Sequence, residues 1–107
     1  MTDLYTDAGK RIRKIREIKG LTRAVLSEEA NISVRFLQQI ETNQKGFSAR
    51  VLWDIAKVLG VSGDYIMCGK ENEVYQEVIC QMLSEYGLEQ LQYVYEILKN
   101  VNELRNS

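Results

Sequence analysis

The chain has 107 residues, 45% of them hydrophobic and 27% charged, which is enough for one small core with an appendage. It has no run of about 18 apolar residues, so no membrane span is expected, and no His, no Gly-rich phosphate loop and no Cys beside a base, which argues against catalysis. The net charge of −1 hides a split: residues 1–69 hold eleven Lys and Arg against eight Asp and Glu, a surplus of three positive charges, while residues 70–107 hold three against seven, a surplus of four negative ones.

Met1-Thr2-Asp3 makes a polar start unlike a secretory signal, so a cytoplasmic protein is the expectation. Cys68 and Cys80 lack metal-site spacing and are expected to be reduced thiols packed as small hydrophobes; no metal or cofactor is expected. A first helix is predicted over residues 7–19, with Ala8, Ile12, Ile15 and Ile18 inward and Lys10, Arg11, Arg13, Lys14 and Lys19 on much of the rest. Gly20 stands where a left-handed C-terminal cap belongs.

The next stretch, Leu21 to Glu41, reads as two short helices joined by a tight turn. Thr22 is placed to cap the first, with Leu21 and Leu26 at the spacing of a hydrophobic staple. Ser33, flanked by Ile32 and Leu37, repeats the pattern for the second. Asn31 between them is one of the few non-Gly residues that enters the left-handed region at low cost. Thr42 to Gly46 is a polar loop. Phe47, Ser48 and Leu52 then start a fourth helix whose inner stripe is Val51, Leu52, Ile55, Ala56 and Leu59, ended by Gly60. Its lone Trp53 is expected to be partly in the core. Val61, Ser62 and Ile66 open a short fifth helix ending near Cys68-Gly69. No Pro and few alternating β-branched runs argue against a sheet.

From Asn72 the texture changes. Val74, Val78, Ile79, Met82 and Leu83 share one helical stripe; after Gly87, Leu91, Val94, Leu98 and Val101 follow at three-four spacing beside Tyr95 and Ile97. Two amphipathic helices joined at Gly87 make a hairpin too thin to stand alone. Its apolar face needs either the domain's own flank or a second copy. Self-association is the preferred reading, through Val74, Val78, Met82, Leu91, Val94, Tyr95, Leu98 and Val101, with Tyr75, Tyr86 and Tyr93 also suited to an interface.

Leu21-Thr22, Leu26, Ala30, Ile32-Ser33, Leu37, Gln39, Ile40 and Glu41 resemble the phage-repressor/Cro-like helix-turn-helix family, and the likeness runs from Gly9-Lys10-Arg11-Ile12-Arg13 to Leu59-Gly60-Val61 and Asp64-Tyr65-Ile66. The resemblance implies an all-α fold: a compact five-helix lambda-repressor-like DNA-binding domain over residues 1–69, followed by a C-terminal two-helix hairpin over residues 70–107. It implies double-stranded DNA as partner, and an ion pair between Arg16 and Glu41, which otherwise reads as a solvated Arg.

In such a motif the second helix enters the major groove. Its outward positions here are Val34, Arg35, Gln38 and Gln39, and the family's base-reading positions fall on Val34, Arg35 and Gln39. Arg35 offers the donor fork that fits the O6 and N7 of guanine; Gln39 fits the N6 and N7 of adenine or orients Arg35; Val34 can pack on a thymine methyl. Where the family usually has a Gln that holds a phosphate and braces the recognition helix, this chain has Arg23. An Arg at a helix start opposes the helix dipole, so an anionic partner is expected there. The helix starts at Thr22 and Ser33, and Asn43, Gln44, Lys45 and Arg50 on the loop side, are expected to meet the phosphate backbone. The loop lacks the Pro of many relatives and has Phe47 in that region.

The function expected is a sequence-specific transcriptional regulator, a homodimeric repressor on a pseudo-palindromic operator, with the acidic tail dimerising. The alternative is an antitoxin or interaction module whose C-terminal helices bind a different regulatory protein.

Overall fold

Four hydroxyl side chains decide where four helices begin. Thr22 Oγ1 accepts the Val25 N–H at 3.1 Å, Ser33 Oγ that of Phe36 at 3.0 Å, Ser48 Oγ that of Val51 at 3.2 Å and Ser62 Oγ that of Tyr65 at 3.0 Å. Each satisfies a donor that the helix cannot satisfy itself. The computed structural model describes residues 4–70 and 73–106; Met1-Thr2-Asp3 and Asn72 lie outside the described residues. Its elements are α1 (Leu4–Ile18), α2 (Arg23–Glu29), α3 (Val34–Glu41), α4 (Ala49–Leu59), α5 (Gly63–Cys68), α6 (Val74–Ser84) and α7 (Leu88–Asn106), with no strand among the described residues. The fold is all-α, a five-helix unit followed by a C-terminal two-helix hairpin.

Helix ends are set as locally as the starts. Gly20, Asn31, Asn43 and Gly60 take left-handed φ values of 70°, 58°, 61° and 68°. After α2, the Ile32 N–H reaches back to the Ser27 carbonyl and the Asn31 N–H to the Glu28 carbonyl; after α3, the Gln44 and Asn43 N–H groups do the same to Gln39 and Ile40. These are two Schellman turns in succession, each with Asn in place of the usual Gly. Asn31 was readable from the sequence; Asn43, inside a polar loop, was not.

The centre of the packing is α1, which lies against α3, α4, α5 and α6. It contributes Ala8, Ile12 and Ile15, fully buried with Leu26, Leu37, Ile40, Ile55, Leu59 and Ile66 from the surrounding helices. Burying each of these large side chains stabilises by about 1.5–3 kcal/mol. The helix begins a turn earlier than the predicted residue 7, and its Tyr5 ring meets Phe47 edge-on with centroids 5.1 Å apart. Gly9 faces the Ile40 carbonyl, where a Cβ would collide, so α1 and α3 approach backbone to backbone.

Several expectations are corrected by the packing. Arg11, placed on the outer face by its sequence, is buried: its Nε, Nη2 and Nη1 donate to the carbonyls of Ile66, Met67 and Gly69 at 2.6, 2.7 and 2.9 Å. It closes the C-terminal end of α5, a helix of six residues whose last carbonyls have no intrahelical donor. Trp53 is not in the core but 69% exposed, because it lies one residue, about 100° of rotation, off the inner stripe that includes Leu52. Cys68 and Cys80 are exposed free thiols rather than packed ones.

The core also does not stop at residue 69. Val74 and Val78 on α6 are 3% and 7% exposed, packed into the same cluster as α1, and Ser62 N–H donates to Glu77 Oε1 at 3.2 Å. Two of the eight residues assigned to self-association are therefore taken up by the domain itself, since the apolar face of α6 finds the flank of α1 first. Beyond Val78 the picture reverses. Met82, Leu91, Tyr95, Leu98 and Val101 are exposed, and Val94 is the one half-buried residue among the described side chains of α7.

Gly9→Ala is expected to lower stability by about 1–3 kcal/mol, the usual cost of forcing a methyl into a close-packed contact, with a matching drop in the urea midpoint. An unchanged midpoint would mean that α1 and α3 are not in backbone contact.

Candidate nucleic-acid interface

The Leu21–Glu41 stretch presents one face inward and one outward. On α3, Leu37, Ile40 and Glu41 are buried, while Val34, Arg35 and Gln38 are exposed and Gln39 and Phe36 are half-buried. The buried residues recur at three and four, so the exposed trio is held on one side by the same periodicity. Val34 is 49% exposed, an apolar side chain left in water at the first turn of the helix.

What holds this helix is a carboxylate. Arg16 Nε donates to Glu41 Oε2 at 2.8 Å and Arg16 Nη2 to Oε1 at 3.0 Å, a two-pronged pair, while Arg16 Nη1 reaches the Leu21 carbonyl at 2.9 Å. Arg23 Nε donates to the same Oε1 at 2.9 Å. The Glu41 side chain is fully buried, so three charge-assisted N–H bonds replace the water it has lost. The hydrogen bond to Glu41 is the main reason why the Arg16 guanidinium is held above its ordinary pKa, against the opposing effect of burial. A basic group raised in this way contributes its full share of stability below its unfolded pKa and loses it only as pH rises through the folded one. That window lies above any pH at which the protein would be handled, so Arg16 keeps its charge in ordinary use.

Arg23 thus has an anion other than a phosphate. Its place at the start of α2, which opposes the helix dipole, is compensated within the domain by Glu41 at the end of α3. Its side chain remains 31% exposed, on the rim of the pair rather than inside it.

The remaining residues assigned to the backbone are spread over three elements. Thr22 and Ser33 have their hydroxyl oxygens engaged as caps. Asn43, Gln44 and Lys45 are exposed, and the loop that carries them is tied to α3: the N–H groups of Gln44 and Lys45 share the Gln39 carbonyl at 2.7 and 3.3 Å. Arg50 is exposed on the first turn of α4, outside the motif itself. Among the described residues no group of three or more His, Cys, Asp or Glu could hold a metal ion, and no helix is long and apolar enough to cross a membrane.

Comparison with known proteins places this geometry among others. Residues 12–66 match the sequence model of the helix-turn-helix family. An uncharacterized HTH-type transcriptional regulator of Bacillus subtilis (strain 168), YazB, is 39% identical over 56 residues, 52% of this chain and 81% of the relative. The structure of C.Esp1396I bound to a 25 base pair operator site superposes with a TM-score of 0.55 at 25% identity, covering 78% of this chain and 99% of that one. A chain of the SinR protein/SinI protein complex superposes with a TM-score of 0.58 at 26% identity, covering 89% of this chain and 97% of that one.

Glu41→Ala is expected to destabilise the fold by about 3–5 kcal/mol, because it leaves Arg16 buried without its anion, as read from chemical denaturation. A loss below about 1 kcal/mol, the value of an exposed pair, would show that the carboxylate is not the tie described.

Proposed function

This chain belongs to the Cro/C1-type helix-turn-helix family, and from that premise we infer that it is a dimeric repressor acting in the cytoplasm, which reads the major groove of a pseudo-palindromic operator. The observation that carries the reading is the exposure of Val34, Arg35 and Gln38 together on a helix whose opposite face is clamped by Leu37, Ile40 and the Glu41 pairs. A side chain can report a base only if its backbone does not move.

In this reading Arg35 makes the bidentate contact to guanine, Gln39 and Gln38 meet amide-compatible edges, and Val34 lies against a thymine methyl. Lys45, Asn43, Gln44 and Arg50 meet phosphates, and the starts of α2 and α3 at Thr22 and Ser33 face the same strand. Arg23 then divides its charge between Glu41 and a phosphate, bracing the motif from below the groove. The chain acts by occupying DNA, not by catalysis. The basic surplus of residues 1–69 favours approach to the duplex, and the acidic surplus of residues 70–107 turns the tail away from it.

One domain makes few contacts, so affinity needs a second, with half-sites about 34–36 Å apart. Residues 70–107 supply the dimer through the band of Met82, Leu91, Val94, Tyr95, Leu98 and Val101, which the domain leaves largely uncovered. A second reading, in which the tail binds a different regulatory protein as an antitoxin or interaction module would, is favoured by the same bare helix and by the similarity to a chain of the SinR protein/SinI protein complex.

Two experiments test this. On an operator selected from random duplexes, Arg35→Ala is expected to cost about 1–3 kcal/mol and to relax the preference at one position, while Lys45→Ala weakens all sequences alike and lowers the salt slope by about one. Binding by Arg35→Ala equal to the parent would reject the base-reading assignment. Leu91→Ser with Leu98→Ser is expected to give a monomer in sedimentation that still binds a single half-site; a parent chain that is already monomeric would favour the heterologous partner.

A further inference from the structure

Four helices begin on a Ser or Thr cap, and α6 does not: its N-cap residue, Glu73, makes no side-chain cap. The start of α6 is set from another helix instead. The Lys70 carbonyl accepts the Glu73 N–H at 3.0 Å and the Tyr65 hydroxyl at 3.0 Å. Tyr65 is buried on α5, and a Cβ at Gly69 would collide with its ring, so the chain passes close against Tyr65 as it leaves α5. Arg11 on α1 holds the same corner through the Ile66, Met67 and Gly69 carbonyls. Further along, Glu77 on α6 accepts the Ser62 N–H at 3.2 Å.

The joint between the five-helix unit and the tail therefore combines two kinds of contact. Val74 and Val78 hold α6 by burial, which is non-directional and leaves a helix free to turn on its seat. The hydrogen bonds are directional and weaken steeply when bent. The next joint is different. A Cβ at Gly87 would meet nothing, and the exposed apolar band crosses it from Met82 on α6 to Leu91 on α7.

We propose that Arg11, Tyr65 and Glu77 are positioning residues for DNA: they fix the angle between the five-helix unit and α6, so that a dimer accepts one spacing of half-sites. The inference rests on the dimeric DNA reading above. Val74 and Val78 decide that α6 docks, and the three polar side chains decide its direction. The recognition helix α3 and the tail helix α6 both pack on α1, so one rigid element carries the direction of one to the other. The partner's tail closes the second joint across the band. The two recognition helices of a pair then stand at one separation and one rotation. One base pair added between half-sites moves the second by about 3.4 Å along the duplex and about 35° around it, a turn that hydrogen bonds of this kind do not follow.

The test uses the full chain on an operator selected from random duplexes, on copies with one base pair added or removed at its centre, and on a single half-site, with sedimentation for the oligomeric state. The parent is expected to be a dimer and to lose about tenfold or more in affinity on either altered spacing, because a misplaced half-site no longer adds its contacts. Tyr65→Phe with Glu77→Ala removes two of the ties and keeps the ring against Gly69. Arg11→Lys, a separate variant, keeps the charge without the fork. Each is expected to remain a dimer and to bind the single half-site like the parent, while the loss on altered spacing shrinks to about threefold or less. The inference is overturned if a dimeric parent accepts all three spacings equally, or if the double variant, which removes no apolar core atom, keeps the parent's spacing preference. It is equally overturned if the variants weaken the half-site and every operator by the same factor, as a purely structural role would. A monomeric parent overturns the dimer and this inference with it, and a parent with no preference for any duplex overturns the DNA reading and this inference alike.

Discussion

The Glu41 carboxylate is the point on which this structure turns. It sits at the last residue of α3 with no contact with water, and it takes N–H bonds from Arg16 on α1 and Arg23 on α2. A buried carboxylate alone would carry a large desolvation penalty, and a buried Arg the same. Joined two-pronged, with the Leu21 carbonyl taking a further Arg16 donor, each offsets part of the other's penalty. The geometry that satisfies them is narrow, because a guanidinium is planar and its donors are fixed in a fork. Three helices are thereby held in one relation, and the outward face of α3 inherits their rigidity.

Such rigidity is not intrinsic to the helices. Helices of six to eight residues, such as α2, α3 and α5, are far below the length at which an isolated helix is stable. Each end is closed by something. Ser and Thr close the starts, Asn or Gly in the left-handed region closes several of the ends, and Arg11 closes α5 from across the core. With the ends closed, burial of large side chains against α1 and against one another does the rest. The motif is thus a pair of short rods whose directions are fixed at their ends and whose positions are fixed by α1 under α3 and by α3 and α4 under α2.

The two halves of the chain differ in what they leave exposed to water. The first has most of its apolar groups inside and most of its cations outside, as suits a polyanion. The second places α6 against the first and then sends α7 out with most of its apolar side chains in water. An apolar surface of that length left in water is what the proposed contact with another chain would cover. The bare Trp53 on α4 is likewise an exposed apolar group, on a surface otherwise suited to water and DNA.

Much of this was legible in the order of residues. The four caps, the left-handed Asn31, Gly20 and Gly60, and the inward stripes of α1 and α4 are local features, decided by neighbours within a turn or two. The outward placement of Val34, Arg35 and Gln38 follows from the same periodicity. Tertiary structure alone decided what a residue meets from far along the chain. Gly9 faces the Ile40 carbonyl, Arg11 reaches carbonyls more than fifty residues away, Arg23 finds Glu41 before any phosphate, and Val74 and Val78 join the first domain's core. Helical periodicity says which side of a helix a residue is on; it does not say which other helix will be there, because that depends on how all the apolar faces close together at once.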